Sequence, residues 1–368
     1  MIAVNEPLIT ETEIQNVMEC LQTGWISSAG HFIEDFEKGW AKYCGMESGI
    51  AVANGSLALS AAMACLGLEP GDEVVLPSFT IASCANAVIE AGLKPVLVDC
   101  DPHTWCMDVT QVEAKLTQRT RAIMPIHIYG HPVDMDPLIE LAKKHNLVIV
   151  EDAAEAHGAE YKGRKCGGIG QVSCFSFYAN KIVTTGEGGM ILTSDPVIAE
   201  RLCGHRNLCF RPPRRFYHTE MGHNYRLTNL QAAIGLAQMQ RIEEHINQKR
   251  WMAKAYQARL ADLSMVQLPV ERSWAKNVYW MYGLVLAEDI GYDAAEFARR
   301  LAAEGVETRP FFLGMHEQPV YHDLGLFVGE HYPVTELIAR QGLYLPSGLT
   351  LTEGQLEQVC VAVRKVLL

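Results

Sequence analysis

The sequence predicts an α/β protein, with one mostly parallel, helix-covered sheet followed by a smaller α+β unit. Three observations predict it. Between residues 50 and 200, apolar runs such as Leu147-Val148-Ile149-Val150 alternate with amphipathic helical stretches, the pattern of parallel strands joined by crossover helices. Several runs end in polar or charged residues, as parallel strands do where a sheet opens onto a ligand crevice. Past Gln248 the alternation stops. The chain therefore divides into an N-terminal segment with a large domain over 1–247 and a small C-terminal domain over 248–368.

Composition narrows the functional classes. The 368 residues are 49% hydrophobic and 20% charged, ordinary for a globular enzyme with a sizeable core. A net charge of -12 argues against nucleic acid as a routine partner. The start, Met1-Ile2-Ala3-Val4-Asn5-Glu6-Pro7, lacks the basic and apolar regions of a signal peptide, and no apolar run approaches the roughly 20 residues of a membrane span. The expectation is a cytoplasmic protein with no membrane association. Its 11 cysteines, odd in number and irregularly spaced, suit reduced and mostly buried thiols.

Taken in order, the first helix is predicted from Thr10 to Cys20, with Glu11 and Glu13 at its dipole-positive end. Thr23-Gly24-Trp25-Ile26-Ser27-Ser28 is too rich in Gly and Ser to be regular. Ile50 to Ala53 is a short buried strand, Asn54-Gly55-Ser56 a small-residue turn, and Leu57 to Leu66 a helix. That arrangement suits a bound phosphate, because free N–H groups and the positive helix end favour a dianion. It also begins many helices that bind nothing. Residues 72–81 and 94–101 form the next strands with their exits. The Asp99, Asp101, His103, Cys106, Asp108 cluster has neither EF-hand nor zinc spacing, so no metal is expected. Ala122 to Gly130 reads as another buried strand, with His127 as either a crevice residue or a satisfied core histidine. After the helix Met135 to His145 comes the strand ending at Asp152. Gly186-Glu187-Gly188-Gly189 lacks dinucleotide-fingerprint spacing and opens onto the strand Met190 to Thr193. One long helix is expected over Leu230 to Ile246, a strand over Tyr279 to Leu286, and helices over Ala294 to Glu304 and Glu353 to Leu367.

The chemistry concentrates on one lysine. Lys181 lies between an aromatic strand with Phe175 and Phe177 and the apolar pair Ile182-Val183, where desolvation lowers an amine's pKa and makes it a nucleophile. Asp152 ends the preceding strand. A lysine amine and a strand-end carboxylate in consecutive strand units resemble the two fixed groups of a pyridoxal phosphate (PLP) site, the first bonding to the cofactor aldehyde and the second keeping the ring nitrogen protonated.

With Thr23-Gly24-Trp25-Ile26-Ser27-Ser28, Asn54-Gly55-Ser56, Gly71 to Ser78, Glu151-Asp152-Ala153-Ala154-Glu155-Ala156 and Asn224-Tyr225-Arg226-Leu227-Thr228-Asn229, these residues resemble the DegT-type nucleotide-sugar aminotransferases, PLP enzymes of fold type I. The resemblance implies a homodimer with shared active sites. It implies amino transfer from glutamate to a nucleotide-linked 4-keto-6-deoxyhexose, with GDP-4-keto-6-deoxymannose first and a dTDP- or UDP-linked sugar second. A non-catalytic PLP-binding regulator is the alternative of another class. Related dehydratases carry histidine at the lysine position, so Lys181 argues against dehydration. As implied roles, Lys181 and Asp152 are catalytic, Gly55, Ser56 and Ser176 meet the cofactor phosphate, Glu155 approaches its ring hydroxyl, and Asn224 reaches the phosphate in the neighbouring subunit. Trp25, Ser27, Arg309 and His316 take substrate duties. The basic segment 205–218, with Arg214 and Arg215, is assigned to the sugar-nucleotide diphosphate. The sequence departs from the family pattern at Ile81, where relatives carry an aromatic that stacks on the cofactor ring.

Overall fold

A computed structural model describes residues 1–210, 214 and 216–367. The large sheet is built from β1 (Ser48–Val52), β2 (Glu73–Pro77), β3 (Lys94–Val98), β4 (Thr120–Ile123) and β5 (Val148–Asp152). The short pair β6 (Glu160–Tyr161) and β7 (Arg164–Lys165) precedes its last two strands, β8 (Val172–Ser176) and β9 (Gly189–Thr193). The spatial order is β1-β9-β8-β5-β4-β2-β3. β8, β5, β4, β2 and β3 run parallel, whereas β9 is antiparallel to both its neighbours. Burial on both faces explains the near-continuous apolar runs of the parallel strands.

Helices α1 (Glu11–Thr23), α2 (His31–Cys44), α3 (Gly55–Cys65), α4 (Ala82–Glu90), α5 (Val112–Lys115), α6 (Met135–His145) and α7 (Pro196–His205) precede or join these strands. They are followed by α8 (Asn229–Gln240) and α9 (Ile242–Leu260). The C-terminal part holds β10 (Val266–Gln267), β12 (Tyr282–Leu286), β13 (Arg309–Pro310) and β14 (Gly342–Leu345) in a second sheet of order β10-β12-β14-β13. β11 (Ala275–Lys276) instead pairs with β6. Helices α10 (Ala294–Ala303), α11 (Pro319–Asp323), α12 (Pro333–Gln341) and α13 (Glu353–Leu367) complete the described chain. None of the described helices is long and apolar enough to cross a membrane.

Three local expectations are corrected. The helix expected to run unbroken over 230–246 is interrupted at Arg241 (φ -111°, ψ 16°), whose guanidinium is drawn to the buried Glu13. The strand expected from Tyr279 begins at Tyr282, because Asn277 Oδ1 accepts the Tyr279 N–H at 2.7 Å and turns Tyr279 to φ 48°. The strand expected over 122–130 ends at Ile123, and Tyr129 adopts φ 51°. His127 is a satisfied core residue: its Nδ1 accepts the Val133 N–H and its Nε2 donates to Glu151. The expected division at 247/248 falls inside α9, and the N-terminal segment joins the C-terminal part through Ile2 beside Val306 and the Val4 carbonyl accepting from Ser347.

Candidate functional site

At the carboxyl ends of β5 and β8 lies a cleft of about 620 Å³. Small-molecule pockets typically measure roughly 300–1,000 Å³, so the cleft has the size of a ligand site. Its walls include Gly55, Ser56, Ile81, Asp152, Glu155, Ser176 and Lys181. The topology thus brings together seven residues singled out in the sequence.

One end of the cleft is an anion cradle. Asn54 caps α3 by accepting the Leu57 N–H at 2.9 Å, leaving the first turn's remaining donors at the dipole-positive end. Ser56 Oγ lies 2.7 Å from Ser83 Oγ, and Ser176 ends β8 against the same turn. Gly55 is required by close approach: an added Cβ would meet the Ser176 Cβ at 2.6 Å. Glycine here lets α3 reach β8, and the junction presents N–H and hydroxyl groups to a phosphate.

The other end holds the charges. Asp152 is buried; its Oδ1 accepts the Ala154 N–H at 3.0 Å and its Oδ2 accepts from the Cys84 thiol at 3.1 Å. Glu155 arrives not on a helix but on a tight turn in which the Ala156 N–H bonds to the Ala153 carbonyl. Its Oε2 accepts the Tyr129 N–H at 2.7 Å, which the left-handed backbone of Tyr129 delivers, and its Oε1 lies 3.9 Å from Lys181 Nζ. Burial raises the Glu155 pKa against the opposing pull of Lys181. Burial lowers the Lys181 pKa, with Glu155, Asp152 and Cys84 acting in the opposite sense. The amine is therefore poised to lose a proton, with a carboxyl beside it able to hold one.

The cleft fits pyridoxal phosphate on its own geometry: a helix-end cradle that no Cβ could share, a buried carboxylate, and a desolvated amine in one cavity. Ile81, 48% exposed, lines this cavity with an aliphatic side chain, so it offers dispersion and no π-face. Several functional neighbours were not singled out in the sequence. The face of Trp280 lies 3.6 Å from Lys181 Nζ, and Asn180, Phe312 and Tyr344 complete the wall. The signal available was the aromatic run Tyr279-Trp280-Met281-Tyr282, which periodicity assigns to a strand core.

The remaining expected residues lie elsewhere. Trp25 and Ser27 are exposed, and the carbonyls of both accept hydrogen bonds from Asn229. Asn224 is exposed and accepts from Arg226 Nε at 2.8 Å. Arg309 pairs with Glu307 at 2.9 Å, and its β13 position is opposite Tyr344 of the cleft. His316 is buried, with Ser78 Oγ 2.7 Å from Nδ1 and Glu336 accepting from Nε2 at 3.1 Å. Arg214 is exposed, 5.5 Å from the Tyr217 ring, while Arg215 lies outside the described residues.

Comparison with known proteins agrees with this geometry. A GDP-perosamine synthase of Caulobacter vibrioides is 43% identical over 100% of this chain and 98% of its own length. That of Escherichia coli O157:H7 is 38% identical over 99% and 98%. The crystal structure of DesV from S. venezuelae superposes with a TM-score of 0.89 at 36% identity, covering 96% of this chain and 93% of its own. The aminotransferase TlmJ from Streptoalloteichus hindustanus gives a TM-score of 0.92 at 31% identity, covering 100% and 99%. With residues 7–364 matching the family as a whole, the chain belongs to the DegT/DnrJ/EryC1/StrS aminotransferase family.

Proposed function

We propose that this protein is a PLP-dependent sugar aminotransferase that moves an amino group from glutamate to GDP-4-keto-6-deoxymannose, giving GDP-perosamine. The observation that carries the GDP-sugar reading is the full-length similarity to proteins of that activity, at 43% and 38% identity. A Streptomyces venezuelae dTDP-3-amino-3,4,6-trideoxy-alpha-D-glucose transaminase is 37% identical over 91% of this chain, which makes dTDP-linked keto-sugars the second reading.

Bound PLP supplies an aldehyde that takes up the donor's amino group and a ring that accepts the electron pair released at the donor carbon. The chain's residues do the rest. The Gly55 turn, Ser56 and Ser176 bind the phosphate. The Asp152 carboxylate would keep the ring nitrogen protonated, and Glu155 would meet the ring hydroxyl. Lys181 would hold the cofactor through Nζ and, once free, would serve as the base that carries the donor's proton.

Sugar-nucleotide contacts are assigned to Trp25, Ser27, Arg309, His316, Arg214 and Arg215. Asn224 is exposed and would complete the partner subunit's phosphate site, making the homodimer the active unit. The large domain, to about residue 247, then carries the cofactor, and the remainder closes over the substrate.

The test is spectroscopic. Glutamate should shift the absorbance of the cofactor-loaded protein, and one keto-sugar nucleotide, the GDP sugar first, should restore it. Restoration by a dTDP sugar alone would overturn the GDP assignment; no response to glutamate would overturn glutamate as the donor and point to other amino donors first, then to dehydration or a PLP-binding regulator. Replacing Arg214 and Arg215 with Ala should raise KM for the sugar nucleotide and leave that for glutamate unchanged.

A further inference from the structure

We infer that Trp280 is a positioning residue for Lys181, cradling its free ε-amine and fixing the backbone on one side of it, while α9 fixes the other side. The Trp280 indole Nε1–H donates to the Asn180 carbonyl at 2.8 Å, and the His245 Nδ1–H donates to the Ile182 carbonyl at 3.0 Å. Both carbonyls that flank Lys181 are therefore held by groups far away in sequence. The indole face lies 3.6 Å from Lys181 Nζ, nearer than the Glu155 carboxylate at 3.9 Å.

Trp280 is itself anchored. Its carbonyl accepts from Lys249 Nζ at 3.0 Å, and the same amine donates to the Ser347 carbonyl. His245 and Lys249 stand four residues apart on one face of α9, so a single helix face grips the lysine strand and its aromatic cover. Lys249 is 2% exposed, and among the described residues its amine donates to two backbone carbonyls. Filling this space needs no amine, and burying one is costly. What the amine adds is the fixed position of Trp280 and Ser347.

The arrangement suits a lysine that must be free for part of each cycle. An aromatic face attracts an ammonium group without accepting its proton, whereas a neighbouring carboxylate can take that proton away. Trp280 therefore holds Lys181 in place while leaving its proton available for transfer.

This inference rests on Lys181 as the cofactor-bonding amine, and its test is separable from amino transfer. In the full-length chain before cofactor is added, competitive acylation across pH with peptide mapping gives the protonation midpoint of Lys181. Trp280→Leu should lower that midpoint by about 0.5–1.5 pH units, since a desolvated cation–π contact that favours the ammonium is lost. Trp280→Phe, which keeps an aromatic face, should recover most of the shift. In the loaded enzyme, Trp280→Leu should reduce kcat about tenfold or more with little change in either KM. An unchanged midpoint in Trp280→Leu would overturn the inference; where that variant does not fold, Trp280→Met gives the same decision. Loss of the glutamate response in the unmodified protein would instead overturn the aminotransferase reading, leaving the midpoint comparison intact.

Discussion

Lys181 and Glu155 are a buried amine and carboxyl whose pKa values are pushed toward each other, down for the amine and up for the acid, chiefly by burial. The Glu155 shift has a stability consequence of definite sign. A carboxyl whose folded pKa is raised contributes stability below its unfolded value, and that contribution is lost as pH rises through the folded pKa. Glu155→Gln has no proton to lose, so its stability relative to the parent should improve as pH rises from about 4.5 to about 7, measured as unfolding free energy in denaturant without cofactor. A pH-independent difference would contradict this assignment. At this scale the sequence was informative where chemistry and pattern coincided. Lys181 and Asp152 stood out because each charge follows an apolar strand. Trp280 did not: its contact with the lysine segment spans 100 residues between Asn180 and Trp280, and an aromatic inside an apolar run looks like core. His316 entered by resemblance alone, and the fold buries it with hydrogen-bond partners at Ser78 and Glu336 that no local pattern shows.

Among the elements, the junction of α3 with β8 sets the cofactor site. Gly55→Ala places a Cβ within 2.6 Å of the Ser176 Cβ and 3.0 Å of its Oγ. Overpacking of this kind costs about 1–3 kcal/mol. Because the strain falls on the phosphate cradle, PLP affinity should drop by roughly 5- to 150-fold. Gly55→Ala/Ser176→Gly removes the clashing side-chain atoms, leaving the Ser176 Cα at 3.2 Å, and should recover most of the stability but only part of the affinity because the Ser176 hydroxyl is gone; thermal unfolding and equilibrium dialysis measure the two effects. The strand–turn–helix order around Gly55 was legible, since a buried strand, small residues and an Ala-rich helix follow one another. The interruption between α8 and α9 was not, because Arg241 continues the helical pattern and only its tertiary pairing with Glu13 shows why the backbone turns there. The end of β4 was hidden similarly: apolar residues continue to Tyr129, but they line a turn that aims an N–H at Glu155.

For the whole molecule, the parallel sheet places both reactive groups at one rim, and the chain's second half supplies Trp280, Phe312 and Tyr344 as the opposite wall. Alternating apolar and helical segments made that sheet readable in advance, whereas the domain crossing by α9 and the pairing of Ile2 near Val306 depend on contacts that no local pattern encodes. The proposed shared site makes a whole-molecule prediction. Lys181→Ala and Asn224→Ala proteins, each weakly active alone, should regain activity when mixed and allowed to exchange subunits, approaching about a quarter of the parent's because half of the random dimers carry one intact site. No recovery despite demonstrated exchange would contradict a site built from two subunits. The most direct measurement of the central claim is borohydride reduction of the PLP-loaded protein followed by peptide mapping. The account predicts a pyridoxyl group on Lys181 alone, lost in Lys181→Ala. Its appearance on Lys249 or another lysine, or no covalent attachment in protein that has bound the cofactor, would contradict the placement of the reaction at Lys181.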